Sequence, residues 1–366
     1  MQDAFFRAIF DGFQSTCLHL TINRASLLQD AREQLLNKPV HQLAKQLRVT
    51  FVGEEGVDEG GLKKEFFQLC FHELFISDFD DRSAFKEIEN SLFWFNDKIK
   101  EEEEDSPTLH EDCVFSGILL ALAIYNGVLV APRFPLLLFK KLLNFPLQLD
   151  DYNEIDPVMV NSINQLAQHD IDGLYHVVPG GEEIELIPSG SNIPVTAENK
   201  FSYINLLSEH FLNTSISWQF TAFRSGFELI SGGSVIYGFR PDELFALAYG
   251  TENFNIFDLK LIANYEGGYH ENCPQIIWLW NCLIQNFNPA EQAEFLFFVT
   301  GSARAPLGGL SRLNSFTVTK IPGDSDRLPS AHTCFNNLLL PEYATYDKLE
   351  GKLRLAIKHN QGFGLI

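Results

Sequence analysis

Apolar positions along this chain follow two rhythms, and the change between them marks its elements. Ala4, Phe5, Ala8, Ile9 and Phe13 recur at helical spacing, and a second helical pattern runs from Ser26 through Leu36, so 1–37 reads as helices. Strict alternation over 47–52 then predicts a strand, 62–75 a helix, and 91–95 a second strand. Helices are expected near 110–126 and 135–143. Another should start at Asp156-Pro157, where an N-cap carboxylate precedes proline in the first turn. Short β-like pieces at 175–178 and 183–187, separated by Pro179-Gly180-Gly181, predict a hairpin. Helical spacing resumes over 196–227 and 241–248 and is stopped by Gly250. Beyond that glycine the rhythm is mixed: helices at 275–287, 289–299 and 346–359, and strands at 316–321 and 333–340. That order predicts a small α/β domain behind a larger, mainly helical one.

The run 113–131 is the one stretch that reaches the lower bound for a membrane span. Ser116, Gly117, Asn126 and Gly127 interrupt it, and Pro132-Arg133 follows, so it reads as a buried core helix. The loop at 53–61 is glycine-rich but acidic, and Leu62-Lys63 follows Gly61 where a phosphate-binding loop needs Lys-Ser/Thr. Nucleotide binding is therefore not expected. The like-charge run 100–105, ending in Ser106-Pro107, reads as a solvated loop.

Charge sharpens this picture. The net charge is -21; residues 251–366 carry 9 Lys and Arg against 11 Asp and Glu, which leaves 18 against 37 for the first 250. The acidity belongs to the N-terminal two thirds. Such a face repels phosphate backbones and anionic lipid, which excludes nucleic acid as an expected partner and favours a protein with a basic face. The six cysteines are scattered, with no C-x-x-C pair and no metal-type clustering with histidine, so no metal or other cofactor is expected. Unpaired cysteines in a chain of this length, without a secretory-type leader, fit a reducing cytosol or nucleus.

The chemistry concentrates near the end, in LPSAHTCFNNLLLPEY (328–343). Pro329 marks a loop, and 333–340 reads as a buried strand stopped by Pro341, which sets Cys334 where loop enters strand. Asn336, two residues on, would share its strand face. From the residues alone Cys334 is either a packed thiol or a nucleophile. His332 can favour the thiolate or merely bond to backbone. Thr333 can assist through its hydroxyl or only begin the strand, and Asn336 can donate to a developing oxyanion or close the strand end. No Cys-His-Asn ordering of a peptidase is present.

This string and the closing AIKHNQGFGLI resemble the C-terminal signature of HECT-type ubiquitin ligases. FVGEEGVDEGGLKKEFF (51–67), LALAIYNGVLV (120–130), YEGGY (265–269) and FVTGSARAPLGGL (298–310) resemble the same family in the same order. The LLLPEY and APLGGL spellings are most similar to the Angelman-syndrome ligase branch. The resemblance, over about 25–366, implies an α+β bilobal fold: an N-lobe over 1–249, a hinge at 250–252 and a smaller α/β C-lobe over 253–366. It implies that Cys334 accepts ubiquitin from a conjugating enzyme as a thioester and passes it to a lysine of a protein substrate. Phe363 is then the tail aromatic that serves transfer to lysine. Ile163, Leu166, Tyr203 and Leu207 are then groove positions for the conjugating enzyme, although 168–195 departs from the family in length and spelling. The alternative is a catalytically inert scaffold of the same fold that only binds ubiquitin or its conjugating enzyme. Arg304, in TGSARAP, is an interlobe ion-pair candidate, a positioner of the Cys334 loop, or a surface arginine.

Overall fold

The computed structural model describes residues 17–54, 61–77, 83–100, 106–169, 173–180, 184–231, 236–322 and 326–359. In chain order the first elements are β1 (Cys17–Ile22), α1 (Leu27–Leu36), β2 (Gln46–Phe51), α2 (Gly61–His72), β3 (Phe85–Ile88) and β4 (Leu92–Phe95). A helical stretch follows: α3 (Ser106–Tyr125), α4 (Leu136–Leu142), α5 (Pro157–Gln168), α6 (Lys200–Leu212), α7 (Ser217–Ser231), α8 (Pro241–Tyr249) and α9 (Ile256–Leu261). The chain then alternates through β5 (Ala263–Glu266), α10 (Pro274–Asn281), α11 (Pro289–Thr300), β6 (Phe316–Ile321), β7 (Ser330–His332), β8 (Asn337–Pro341) and α12 (Tyr346–His359). The fold is α+β, as the resemblance implies.

The chain forms two compact units: 71–121 with 132–245, and 1–70 with 122–131 and 246–366. The first is organised around phenylalanine. Phe85 and Phe95 face each other in the antiparallel β3–β4 register, and the rings of Phe75, Phe93, Phe134 and Phe223 join them at centroid separations of 4.7–6.4 Å. Edge-to-face pairs dominate, each contributing about 0.5–1.5 kcal/mol beyond burial of area. Six of the chain's 33 phenylalanines form this cluster.

Two glycines bring α3 and α7 together. A Cβ on Gly117 would lie 2.0 Å from the Phe223 carbonyl oxygen, and one on Gly226 would lie 1.9 Å from that of Val114. The backbones meet where neither helix can carry a side chain. On α3, Cys113, Phe115, Ile118, Leu119, Leu120, Leu122 and Ala123 are fully buried. Pro107–Tyr125 is long and apolar enough to cross a membrane, but its burial is that of a core helix.

The helical patterns expected over 196–227 are two helices, α6 and α7. α6 ends at Leu212, and the Lys141 ammonium donates to the Leu212 carbonyl at 2.6 Å and to Asn213 Oδ1. A cation at a helix C-terminus offsets its orphan carbonyls, and burial there lowers the Lys141 pKa to about 8. The expected hairpin at 175–187 pairs Val177 with Glu185, flanked by bonds from Val178 N–H to the Ile184 carbonyl and from Leu186 N–H to the His176 carbonyl, each at 2.9 Å; 181–183 lie outside the described residues. α5 starts as predicted, with Asp156 Oδ1 accepting from the Met159 amide at 2.8 Å.

In the second unit β1 and β2 pair in parallel, Leu18 with Leu47 and Ile22 with Phe51, joined through α1. This corrects the helical expectation over 17–22: Leu18, Leu20 and Ile22 are buried in alternation, a period of two. The helical pattern at 4–13 lies outside the described residues. The C-terminal part holds a four-stranded sheet in the order β5-β6-β8-β7, parallel except for β7. α10, α11 and α12 pack with it over one core that includes Ile276, Leu279, Trp280, Phe295, Phe316 and Leu353. The helix expected over 275–287 changes at Cys282 into a wider five-residue turn.

Candidate active site

Strand β7 ends at His332, opposite Asn337 of β8, and the chain between them does not extend. Thr333–Phe335 is a single 3-10 turn, and Asn336 takes a left-handed φ of 48° to re-enter the sheet. The strand expected from 333 therefore begins only at Asn337, because asparagine tolerates the left-handed region and the turn reverses the chain. Cys334 rides on the tip of this turn and is half-buried.

The turn is pinned from both sides. Asn336 Nδ2 donates to the Ser315 carbonyl at 3.0 Å, and the Thr317 amide donates to the Asn336 carbonyl at 3.1 Å, which fastens it to the start of β6. Asn336 Oδ1 accepts from Lys64 Nζ at 3.0 Å. With Oδ1 and one Nδ2 N–H engaged and the side chain buried, Asn336 holds the turn, the structural one of its two expected roles. Its place on a shared strand face with Cys334 is replaced by the left-handed turn.

Lys64 stands on α2 and spends its ammonium on three acceptors: Asn336 Oδ1, the Thr333 carbonyl at 2.7 Å, and the Thr300 carbonyl at the end of α11. One turn along the same face, Gln68 Oε1 accepts from Cys334 Sγ at 3.8 Å. Glu65 lies between them, tied at 2.8 Å to Arg24, which also bonds Glu54 and covers the Phe51 ring at 4.0 Å. Gly61, at the start of α2, makes room for Phe335: a Cβ there would meet the ring at 2.4 Å.

These neighbours set the ionisation. Burial, then the Glu65 carboxylate, push the Cys334 thiol above its ordinary pKa; Lys64, a hydrogen bond from the Thr333 side chain and Arg24 pull the other way. Burial lowers the Lys64 pKa to about 8, and the Cys334 thiolate opposes this. Against α2 the sulfur is held as a thiol, and its nucleophilic form is disfavoured.

Of the residues singled out in the sequence, the structure brings Cys334, Thr333 and Asn336 together. His332 is exposed and makes no side-chain hydrogen bond among the described residues. Phe363 lies outside the described residues. Ile163, Leu166, Tyr203 and Leu207 also come together, but as a core. Ile163, Tyr203 and Leu207 are 1%, 1% and 0% exposed, Leu166 packs against them, and the Tyr203 hydroxyl donates to the Val177 carbonyl at 3.2 Å. They support a surface rather than form one; the same region exposes Val158 and Phe201. No group of three or more metal-ligating side chains occurs among the described residues. Lys64, Glu65 and Gln68 were missed. Their signal is present in the sequence: two polar residues four apart on one face of a helix whose neighbours Phe66 and Phe67 are buried.

The HECT-domain (ubiquitin-transferase) family pattern matches residues 64–366, a span that includes both Lys64 and Cys334. The chain is 35% identical over 362 residues to the probable E3 ubiquitin-protein ligase HERC4 of Homo sapiens, covering 96% of this chain and 33% of that protein. It is 33% identical to human HERC3, a probable E3 ubiquitin-protein ligase, with 96% and 34% covered. It is 32% identical to mouse HECTD2, another probable E3 ubiquitin-protein ligase, with 95% and 46% covered. The chain thus spans less than half the length of these relatives. The match over most of the chain, with a cysteine turn set at the rim of the C-terminal sheet, makes this chain a member of the HECT-domain (ubiquitin-transferase) family.

Proposed function

We propose that this chain is the catalytic module of an E3 ubiquitin-protein ligase, and that Cys334 carries ubiquitin between a conjugating enzyme and a substrate lysine. In the first step Cys334 Sγ, as thiolate, attacks the carbonyl of the conjugating enzyme's thioester. A new C–S bond forms, the old one breaks, and the conjugating enzyme's sulfur leaves with the electron pair. In the second step a lysine amine attacks the Cys334 thioester, a C–N bond forms, and the Cys334 sulfur leaves and takes up a proton. The first step exchanges one thioester for another of similar energy, and the second is downhill to an amide.

The observation that carries this reading is the Cys334 turn. It offers a half-buried sulfur from the rim of the sheet, braced by Asn336 behind it and by the Thr333 hydroxyl beside it. The raised thiol pKa against α2 describes a resting pose; loading requires the turn to leave Glu65 and meet the conjugating enzyme. The hinge at 250–252, between a 1–249 lobe and a 253–366 lobe, supplies that movement. Phe363 serves the second step. Val158 and Phe201, over the core of Ile163, Leu166, Tyr203 and Leu207, offer the apolar surface for the conjugating enzyme. Placement in the Angelman-syndrome branch rests on the LLLPEY and APLGGL spellings, and a cytosolic or nuclear location on the unpaired cysteines.

The disfavoured thiolate also supports a second reading, an inert scaffold that binds the conjugating enzyme without accepting ubiquitin. Transfer to free lysine and affinity for the conjugating enzyme, measured for wild type and Cys334→Ala, separate the two. A ligase loses transfer and keeps affinity in the variant. Wild type that binds but never transfers is the scaffold.

A further inference from the structure

Gly250 is bonded in two directions at once. Its N–H donates to the Ala246 carbonyl at 2.9 Å, closing the last turn of α8, whose Ala248 carbonyl in turn accepts from Val130 at 2.9 Å. Its carbonyl accepts from Arg304 Nε at 3.2 Å. The next amide, Thr251 N–H, donates to the Ala305 carbonyl at 2.8 Å, and Ala305 N–H returns a bond to the Thr251 carbonyl at 2.9 Å. The Arg304 guanidinium also pairs with Glu252 through Nη1. The peptide plane joining residues 250 and 251 is therefore held at its oxygen by Arg304 and at its nitrogen by Ala305.

The loop that holds it is itself braced. Ser302 N–H donates to Thr300 Oγ1, Arg304 N–H donates to Ser302 Oγ, and that hydroxyl donates to the Arg304 carbonyl, each at 3.2 Å. Between the last hydrogen bond of α8 and the clamped peptide only two soft torsions remain, the φ and ψ of Gly250. That residue sits at φ +72°, and a Cβ would lie 2.4 Å from the Ala305 oxygen. Glycine alone meets both conditions without strain.

We propose that the joint is this single residue, and that Arg304 is a positioning residue that fixes Thr251 and Glu252 to the 300–305 loop so that they travel with the C-terminal α/β body. The sequence-level hinge of three residues contracts to one. A one-residue pivot restricts the Cys334 turn to an arc set by two torsions, where a three-residue linker would let it sample widely. The functional part of this inference rests on Cys334 being the ubiquitin carrier; the clamp itself does not.

The test is amide hydrogen exchange at Thr251 and Ala305 in the whole chain, for wild type, Arg304→Ala and Arg304→Lys, beside transfer from Cys334 to lysine. In wild type the two amides exchange slowly and together. Arg304→Ala speeds both by about tenfold or more, the effect of losing a charged donor from a paired backbone site, and Arg304→Lys recovers part of the protection. Transfer falls at least about fivefold in Arg304→Ala with the melting midpoint held and the conjugating enzyme still bound, the loss expected when a positioned group gains freedom. Random-coil exchange at Thr251 in wild type, or unchanged exchange in Arg304→Ala, overturns the clamp. Faster exchange with unchanged transfer overturns the positioning role. If wild type never forms an adduct at Cys334, the carrier reading fails while the exchange data still decide the clamp.

Discussion

Replacing Lys64 with methionine keeps the length of the side chain and removes its charge. The ammonium donates to Thr300, Thr333 and Asn336, all within or beside the turn that carries Cys334. Hydrogen bonds to a charged group contribute about 1.5–3 kcal/mol each. The low end applies here, because burial already lowers the Lys64 pKa to about 8 and so offsets part of the gain. Three bonds at the low end total about 4.5 kcal/mol, and water entering the vacated site restores part of it. About 2–3 kcal/mol remains, which moves the balance between the pinned and released turn by roughly 30- to 150-fold. Alkylation of Cys334 by iodoacetamide near neutral pH reads that balance without any enzymatic activity. Lys64→Met is expected to raise the rate by at least about tenfold, short of the full shift because a fully released thiol sets a ceiling. Lys64→Arg, which keeps a charged donor, stays near wild type. A rate within twofold of wild type for Lys64→Met refutes the claim that this lysine pins the turn.

Three further outcomes follow from the same geometry. Burial and Glu65 raise the Cys334 pKa, so its alkylation rate should climb with pH along a curve centred above that of an ordinary thiol, about 8.5. Glu65→Gln removes the like charge and shifts the curve down, and a wild-type midpoint at or below the ordinary value contradicts the site. Gly226→Ala places a methyl 1.9 Å from the Val114 oxygen and should cost about 3 kcal/mol, seen as a lower denaturation midpoint; an unchanged midpoint refutes the close crossing of α3 and α7. Val158→Asp and Phe201→Asp should weaken binding of the conjugating enzyme with no loss of fold by circular dichroism, whereas binding at wild-type strength removes this face as the docking surface.

Much of the architecture is legible because period carries it. β6, α11 and α12 lie within a residue of their expected bounds, helped by punctuation: Pro322 follows β6, and Pro289 and Gly301 bracket α11. α5 was readable from Asp156-Pro157 alone. Where tertiary partners decide, the reading fails. Residues 17–22 alternate, but the neighbouring helical patterns drew them into a helix, and only β2 as a partner makes them a strand. The point at which α6 ends is marked by Lys141, 71 residues away in sequence, whose ammonium meets the Leu212 carbonyl. At the site, the resemblance located Cys334, yet the apolar run 338–340 concealed the turn before it, since left-handed Asn336 leaves no period to detect. Lys64 and Gln68 show in the sequence only as two polar residues on one face of α2; what places them beside Cys334 is packing over more than 260 residues of chain.

The central claim is tested most directly by loading. The protein is mixed with activating enzyme, a panel of conjugating enzymes, ubiquitin and ATP, and the products are resolved by intact-mass spectrometry with and without reductant, beside Cys334→Ala and Cys334→Ser. The account predicts one added ubiquitin on wild type that reductant removes, none on Cys334→Ala, and on Cys334→Ser an adduct, if one forms, that survives reductant as an oxygen ester. Wild type that stays unloaded with every conjugating enzyme, or an adduct of equal yield on Cys334→Ala, contradicts it.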